Sequence, residues 1–236
     1  MKKTMEITSP RKNNSIFKTR LVGKFWSGGS HFVGPAGNIP FLLSEIRISR
    51  RSDAGIYRGS DGVYATTIHE LTHAGHYRMD RAFFLNLNNL VGADINARKV
   101  MRESWPEGVE TVVTNRRYGL LSSVYVASNA LGNTGWRALW NSGRQDDLPE
   151  NMNEYTPLII DLVDGINQRV AVGNIGVPID RVSGYTLNQI ETSLNNSRSL
   201  VEFRDKLRDQ HNNPTEQFLD DLFSYATTAS ANLRTK

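Results

Sequence analysis

Two histidines four residues apart, His69 and His73, bracket Glu70-Leu71-Thr72 in a stretch otherwise free of charge. On an α-helix, positions i and i+4 lie one turn apart on the same face, so both imidazoles can converge on one point. Glu70 is turned by about 100° from His69, beside that point rather than at it. Thr66, Thr67 and Ile68 precede the run, and Leu71, Thr72 and Ala74 lie within or after it, all uncharged. A helix buried in the floor of a site requires such flanks, whereas a solvated helix does not show them. The bland alternative is a surface helix whose His and Glu coincide by chance.

The chain has five histidines, at 31, 69, 73, 76 and 211, and no cysteine. Disulfides and thiolate metal sites are therefore excluded, and any metal must be held by His, Asp or Glu. Two imidazoles and one carboxylate suit Zn²⁺ and leave a fourth position for water, which Glu70 can reach as general base. This is the HExxH arrangement of zinc hydrolases. His76 lies too far along a straight helix to close the same tetrahedron and reads as a packed histidine. The spacing that would add a third histidine ligand fails, because position 79 is Met.

A third ligand is expected from the carboxylate-rich segment Arg102-Glu103-Ser104-Trp105-Pro106-Glu107-Gly108-Val109-Glu110. Glu103 has Glu107 at i+4, a carboxylate that could orient His69 or His73 from behind. Glu107 could itself ligate, with Glu110 behind it. Ser104 and Glu107, however, fit a capping box at a proline-marked helix start, which accounts for Glu107 and leaves Glu103 as the preferred ligand. Asp94 is a weaker alternative, since nothing around it repeats the uncharged flanks.

At 236 residues, 39% apolar and 22% charged, the chain can bury a real core. No run approaches the roughly 18 apolar residues of a membrane span. The net charge of +4 is uneven: residues 1–60 carry 11 Lys/Arg against 3 Asp/Glu, a net of +8, and the rest is net −4. No aromatic-interleaved basic motif accompanies this excess, so it reads as a solvated face and not as a nucleic-acid surface.

Residues 1–14 read as a tail or linker, and 15–236 as a single domain. Within it, residues 15–60 are Gly-rich with short apolar runs, which predicts a β-rich lobe. In Glu45-Ile46-Arg47-Ile48 the alternation puts both isoleucines on one face. Helices are expected over 63–79, 81–90 and 106–118. Thr156-Pro157 and Asn213-Pro214 mark later helix starts, and Thr186/Gln189 and Ser199/Glu202 fit capping boxes. The fold class is α+β, a small β-rich lobe (about 15–60) followed by a mostly helical body (about 61–236).

The segments ATTIHELTHAGHYRM, RESWPEGVETVVTNRRYG, EYTPLIIDLVDGINQR and DRVSGYTLNQIE together resemble a group of bacterial HExxH proteins predicted to be zinc metallopeptidases of the gluzincin type. The resemblance covers roughly residues 40–225, and its sharpest motif after HExxH is Glu103-Ser104-Trp105. It implies a zincin-like fold, Zn²⁺ held by His69, His73 and Glu103, and a peptide or protein substrate. Variation among related sequences at the position matching Glu107 also favours Glu103. It further implies an extracytoplasmic setting and an upstream segment. This chain departs from the group there, beginning abruptly and without an export signal, as a truncated product would. Tyr118, Tyr155 and Tyr185 are candidates to stabilise an oxyanion, and Gly55-Ile56-Tyr57-Arg58-Gly59 could be an edge strand that pairs with a peptide. The alternative function is a catalytically silent, zinc-stabilised module that binds peptide or protein at the cell envelope. Substrate, cleavage preference and oligomeric state are not encoded in any motif found.

Overall fold

The computed structural model describes residues 18–22, 31–33, 45–49, 59–84, 95–118, 156–165 and 180–224. Three short strands, β1 (Lys18–Val22), β2 (His31–Val33) and β3 (Glu45–Ser49), form a sheet of order β1-β3-β2. β1 runs parallel to β3 in the register Lys18↔Glu45, and β2 runs antiparallel to β3 with Phe32 opposite Ile46. The expected alternation holds in β3, where Ile46 and Ile48 are both buried. Three such strands do not amount to the expected β-rich lobe, because most of residues 15–60 lies outside the described residues. The helical body dominates the architecture.

Helix α1 (Ser60–Met79) carries the HExxH run and packs beneath β3 through Leu71 and Ala74, which close a small apolar cluster with Ile46 and Ile48. The uncharged flanks are buried as a floor helix requires: Thr66, Ile68, Leu71, Thr72 and Ala74 are all inside. Thr72 satisfies its hydroxyl locally by donating to the Ile68 carbonyl at 2.8 Å. Asp80 ends α1 and starts α2 (Arg81–Phe84), its Oδ1 accepting from the Phe83 amide at 3.2 Å. The same carboxylate pairs with Arg198, whose guanidinium lies over the Phe83 ring. The corner below the site is thereby tied to the C-terminal helices.

Helix α3 (Ile95–Tyr118) differs from the sequence expectation in one decisive respect. A helix starting at Pro106 was expected, with Ser104 and Glu107 as its capping box. The helix in fact begins eleven residues earlier and runs through Pro106. A proline there removes the bond that the Arg102 carbonyl would otherwise accept, a cost near 3 kcal/mol that tertiary packing must offset. Ser104 is consequently mid-helix, and its hydroxyl accepts from the Thr156 amide at 2.8 Å instead of capping α3. Met101, Trp105, Val109 and Val112 recur at helical spacing and form one buried apolar face. That face meets Ile68 and Phe83 in the main core.

Helix α4 (Leu158–Val163) crosses α3 at Gly108. A Cβ on Gly108 would lie 2.2 Å from Ile159 Cγ2 and 2.5 Å from Ile159 Cβ, so only glycine permits this approach. Thr156 was expected to cap this helix with Pro157 at its first position. Thr156 Oγ1 does accept from the Leu158 amide at 3.3 Å, with Pro157 as the boundary residue.

The C-terminal part follows its start signals closely. Helix α5 (Leu187–Leu194) opens on a full capping box between Thr186 and Gln189. Helix α6 (Leu200–Gln210) is capped by Ser199, which accepts from the Glu202 amide at 3.1 Å. Glu202 reaches back to the Arg198 amide rather than that of Ser199, so this box is shifted by one residue. Asn213 Oδ1 accepts from Thr215 N at 2.8 Å and leads into a 3-10 turn (Glu216–Phe218) and a last helix, α7, over 219–224. Phe203 and Phe223 meet edge to face with ring centroids 5.6 Å apart. Gly184, at φ +81°, makes the turn before α5.

Candidate metal centre

Helices α1 and α3 pack side by side, and each turns a polar stripe toward the other. From α1 come His69 and His73, whose rings stand edge to face with centroids 4.7 Å apart. From α3 come Glu103, Glu107 and Glu110, at i, i+4 and i+7, one face of a continuous helix. Drawing α3 through Pro106 is what places all three carboxylates opposite the histidines.

Two groups of candidate ligands result. His69, His73 and Glu103 bring one ligating atom each within 4.8 Å of one another. Glu103 Oε2 is 3.4 Å from His73 Nε2 and 4.0 Å from His69 Nε2. Tetrahedral zinc with bonds near 2.0–2.1 Å holds its ligand atoms about 3.3 Å apart, so the donor types and separations both fit the ion. On the other side of the His69 ring, Nδ1 lies 3.3 Å from Glu110 Oε2 and 3.9 Å from Glu107 Oε2, which form the second group. A carboxylate behind a ligating imidazole holds its Nδ1–H tautomer and directs Nε2 forward.

The structure thus brings together His69, His73 and Glu103, the set preferred from the sequence. Of the two carboxylates behind His69, Glu110 lies nearer to Nδ1 than Glu107, the residue considered for that position from the sequence. The signal for Glu110 was its i+7 offset from Glu103, hidden by the expectation of a helix start at 106. Glu107 and Glu110 are both buried, which only a metal, a proton or a partner makes tolerable.

Electrostatics favour an ionised Glu103. Burial alone would raise its carboxyl, but the hydrogen bond from His73 and the charges of His73, Arg102 and His69 outweigh it and hold the value at about 2. Arg102 Nε donates to Glu103 Oε1 at 2.9 Å, leaving Oε2 toward the histidines. A cation bound at this oxygen would displace the proton that His73 shares with it.

Glu70 is buried on α1 and belongs to neither three-residue group. His76 is not drawn in either. It is packed edge to face on Phe84 at 5.5 Å, and burial, with lesser effects of His73 and Arg102, pushes it down to about 3. Of the three tyrosines considered for an oxyanion, Tyr155 and the side chain of Tyr118 lie outside the described residues. Tyr185 is buried among the C-terminal helices, where the charged groups acting on it are Glu216 and Arg208. Asp94 and residues 55–58 also lie outside the described residues. No helix among the described residues is long and apolar enough to cross a membrane.

Compared with known proteins, the chain matches no family model, no curated protein and no solved structure.

Proposed function

We propose that this protein is a zinc-dependent hydrolase, a metallopeptidase of the gluzincin type with a zincin-like fold, acting on a peptide or protein. The observation that carries the reading is the convergence of His69, His73 and Glu103 from two helices, one ligating atom of each lying within 4.8 Å of the others. Zinc bound there would supply Lewis acidity, lowering the pKa of water toward neutrality and polarising a carbonyl group. The protein's own residues then have distinct tasks. His69 and His73 hold the ion as neutral donors, and Glu103 adds the anionic oxygen. Glu110 keeps the His69 ring in its Nδ1–H tautomer. Glu70 takes the proton from attacking water and returns it to the leaving amine.

The alternative, a zinc-stabilised module that binds peptide without cleaving it, shares the metal centre and differs only in turnover. Incubating the zinc-loaded chain with a mixed peptide library separates the two. New termini that disappear with chelation support the peptidase, whereas zinc-dependent retention of intact peptides supports the module. An extracytoplasmic setting belongs to this proposal through the resemblance of its motifs.

A further inference from the structure

A second cluster of acidic side chains lies away from the histidines, where α4 meets the C-terminal helices. Asp161 and Asp164 stand three residues apart on α4 and at its end, which puts their side chains on one face. The chain then returns alongside: Tyr185 N donates to the Leu162 carbonyl at 3.0 Å, and Gly184 N to that of Val163 at 3.2 Å. This return brings Asp180 to the same joint, where its Oδ1 accepts from Val182 N at 3.0 Å. All three aspartates are more than nine-tenths buried, Asp161 at 1% exposure, Asp180 at 3% and Asp164 at 8%. Asp161 Oδ1 and Asp180 Oδ2 are fully enclosed and have no hydrogen-bond partner among the described residues.

Enclosed carboxylate oxygens of this kind are tolerated when protonated or when bound to a cation. Asp164 is also the C-cap of α4, where the helix end repels negative charge. Burial raises Asp161, and Asp180 and Asp164 raise it further; burial and Asp164 raise Asp180 to about 8. Among the described residues, no basic side chain is one of the groups setting either value. An all-oxygen, multiply anionic set selects a hard divalent ion over zinc.

We propose that Asp161, Asp164 and Asp180 form a second cation site of the Ca²⁺ class, which fastens the C-terminal helices to α4. Among the described residues, only the two His/Glu groups already hold three ligating atoms within 4.8 Å. Binding would have to bring the three carboxylates closer together, which would stiffen the joint.

The test uses the full chain loaded with zinc, so that added Ca²⁺ meets an occupied His/Glu centre. Calcium titration followed by calorimetry should show one Ca²⁺ per chain. At about a hundredfold excess over Kd the thermal midpoint should rise on the order of 5–10 °C. Asp161→Asn and Asp180→Asn preserve side-chain shape while removing charge. Both should retain their zinc, melt higher than wild type without Ca²⁺, and lose the response to it. Failure of Ca²⁺, Mg²⁺ and Mn²⁺ to shift the wild-type midpoint at about 10 mM, the weak end of such sites, overturns the proposal. So does a full calcium response in both variants. A wild-type midpoint insensitive to cations that climbs between pH 8 and 6 also overturns it, because a proton then neutralises the cluster. The outcome is independent of whether the zinc centre hydrolyses peptides.

Discussion

His73 Nε2 and Glu103 Oε2 face each other at 3.4 Å across the packed helices α1 and α3, and His69 Nε2 completes the triangle at 4.0 Å from the same oxygen. Every feature of α3 bears on that relationship. Trp105 and Met101 bury its apolar side, Gly108 lets α4 press against it, and the helix continues through Pro106 so that three carboxylates share the opposite side.

Glu103 and Glu107 can be told apart by metal analysis. Glu103→Ala should lose zinc on purification, while Glu107→Ala should keep about one ion per chain, the occupancy of a single tetrahedral site. The reverse pattern would move the ligand one turn along α3.

In the proposed centre Glu110 would act through His69, whose Nδ1 lies 3.3 Å from its Oε2, and not on the ion. Glu110→Gln should weaken zinc affinity by about 10- to 100-fold without changing stoichiometry, as measured by competition with a chromogenic chelator. Because Gln keeps an acceptor oxygen for Nδ1–H, its loss should be smaller than that of Glu110→Ala. Equal affinities for wild type and both variants would remove Glu110 from the centre.

Gly108 is a packing requirement. Gly108→Ala gains helix propensity of up to about 1 kcal/mol but forces Ile159 and its helix away. The net effect should be destabilisation of about 1–3 kcal/mol by chemical denaturation. Ile159→Ala in the same chain should recover part of the loss, giving a non-additive double-mutant cycle. Additive effects would show that the two residues do not press on each other.

Glu191 predicts a pH dependence. Burial raises its carboxyl to about 8, against about 4.5 in the unfolded chain, and its Oε2 lacks a partner among the described residues. The folded state therefore holds a proton that the unfolded state releases. Stability from this group is complete below about pH 4.5 and falls as pH rises toward 8. Glu191→Gln should flatten that fall and be more stable than wild type at pH 8 by on the order of 2 kcal/mol, with the two converging near pH 5. Parallel stability curves from pH 5 to 8 would contradict the assignment.

The cluster of His69, His73 and Glu103 was legible in the sequence because most of its signals are local. The His69/His73 spacing and the uncharged flank need only helical periodicity, and Ile46/Ile48 need only alternation. The caps at Thr186 and Ser199 depend on residues three apart, and they hold. What failed was α3. Ser104-x-x-Glu107 with an intervening Pro106 carries the local chemistry of a helix start, yet the buried contacts of Met101, Trp105 and Val109 carry the helix through it. Ser104 found a partner far along the chain, in Thr156, which no local pattern announces. The aspartate joint was missed for the same reason: Asp161 and Asp180 approach only through the return of the chain beside α4.

Glu70 is the proposed base beside a metal that His69, His73 and Glu103 would hold. The most direct measurement is peptide cleavage by purified, zinc-assayed Glu70→Gln against wild type. We predict that the variant retains about one zinc per chain, as a residue outside the ligand set should, and loses cleavage by at least about 100-fold. Cleavage at the wild-type rate with zinc in place, or loss of the zinc itself, would contradict it.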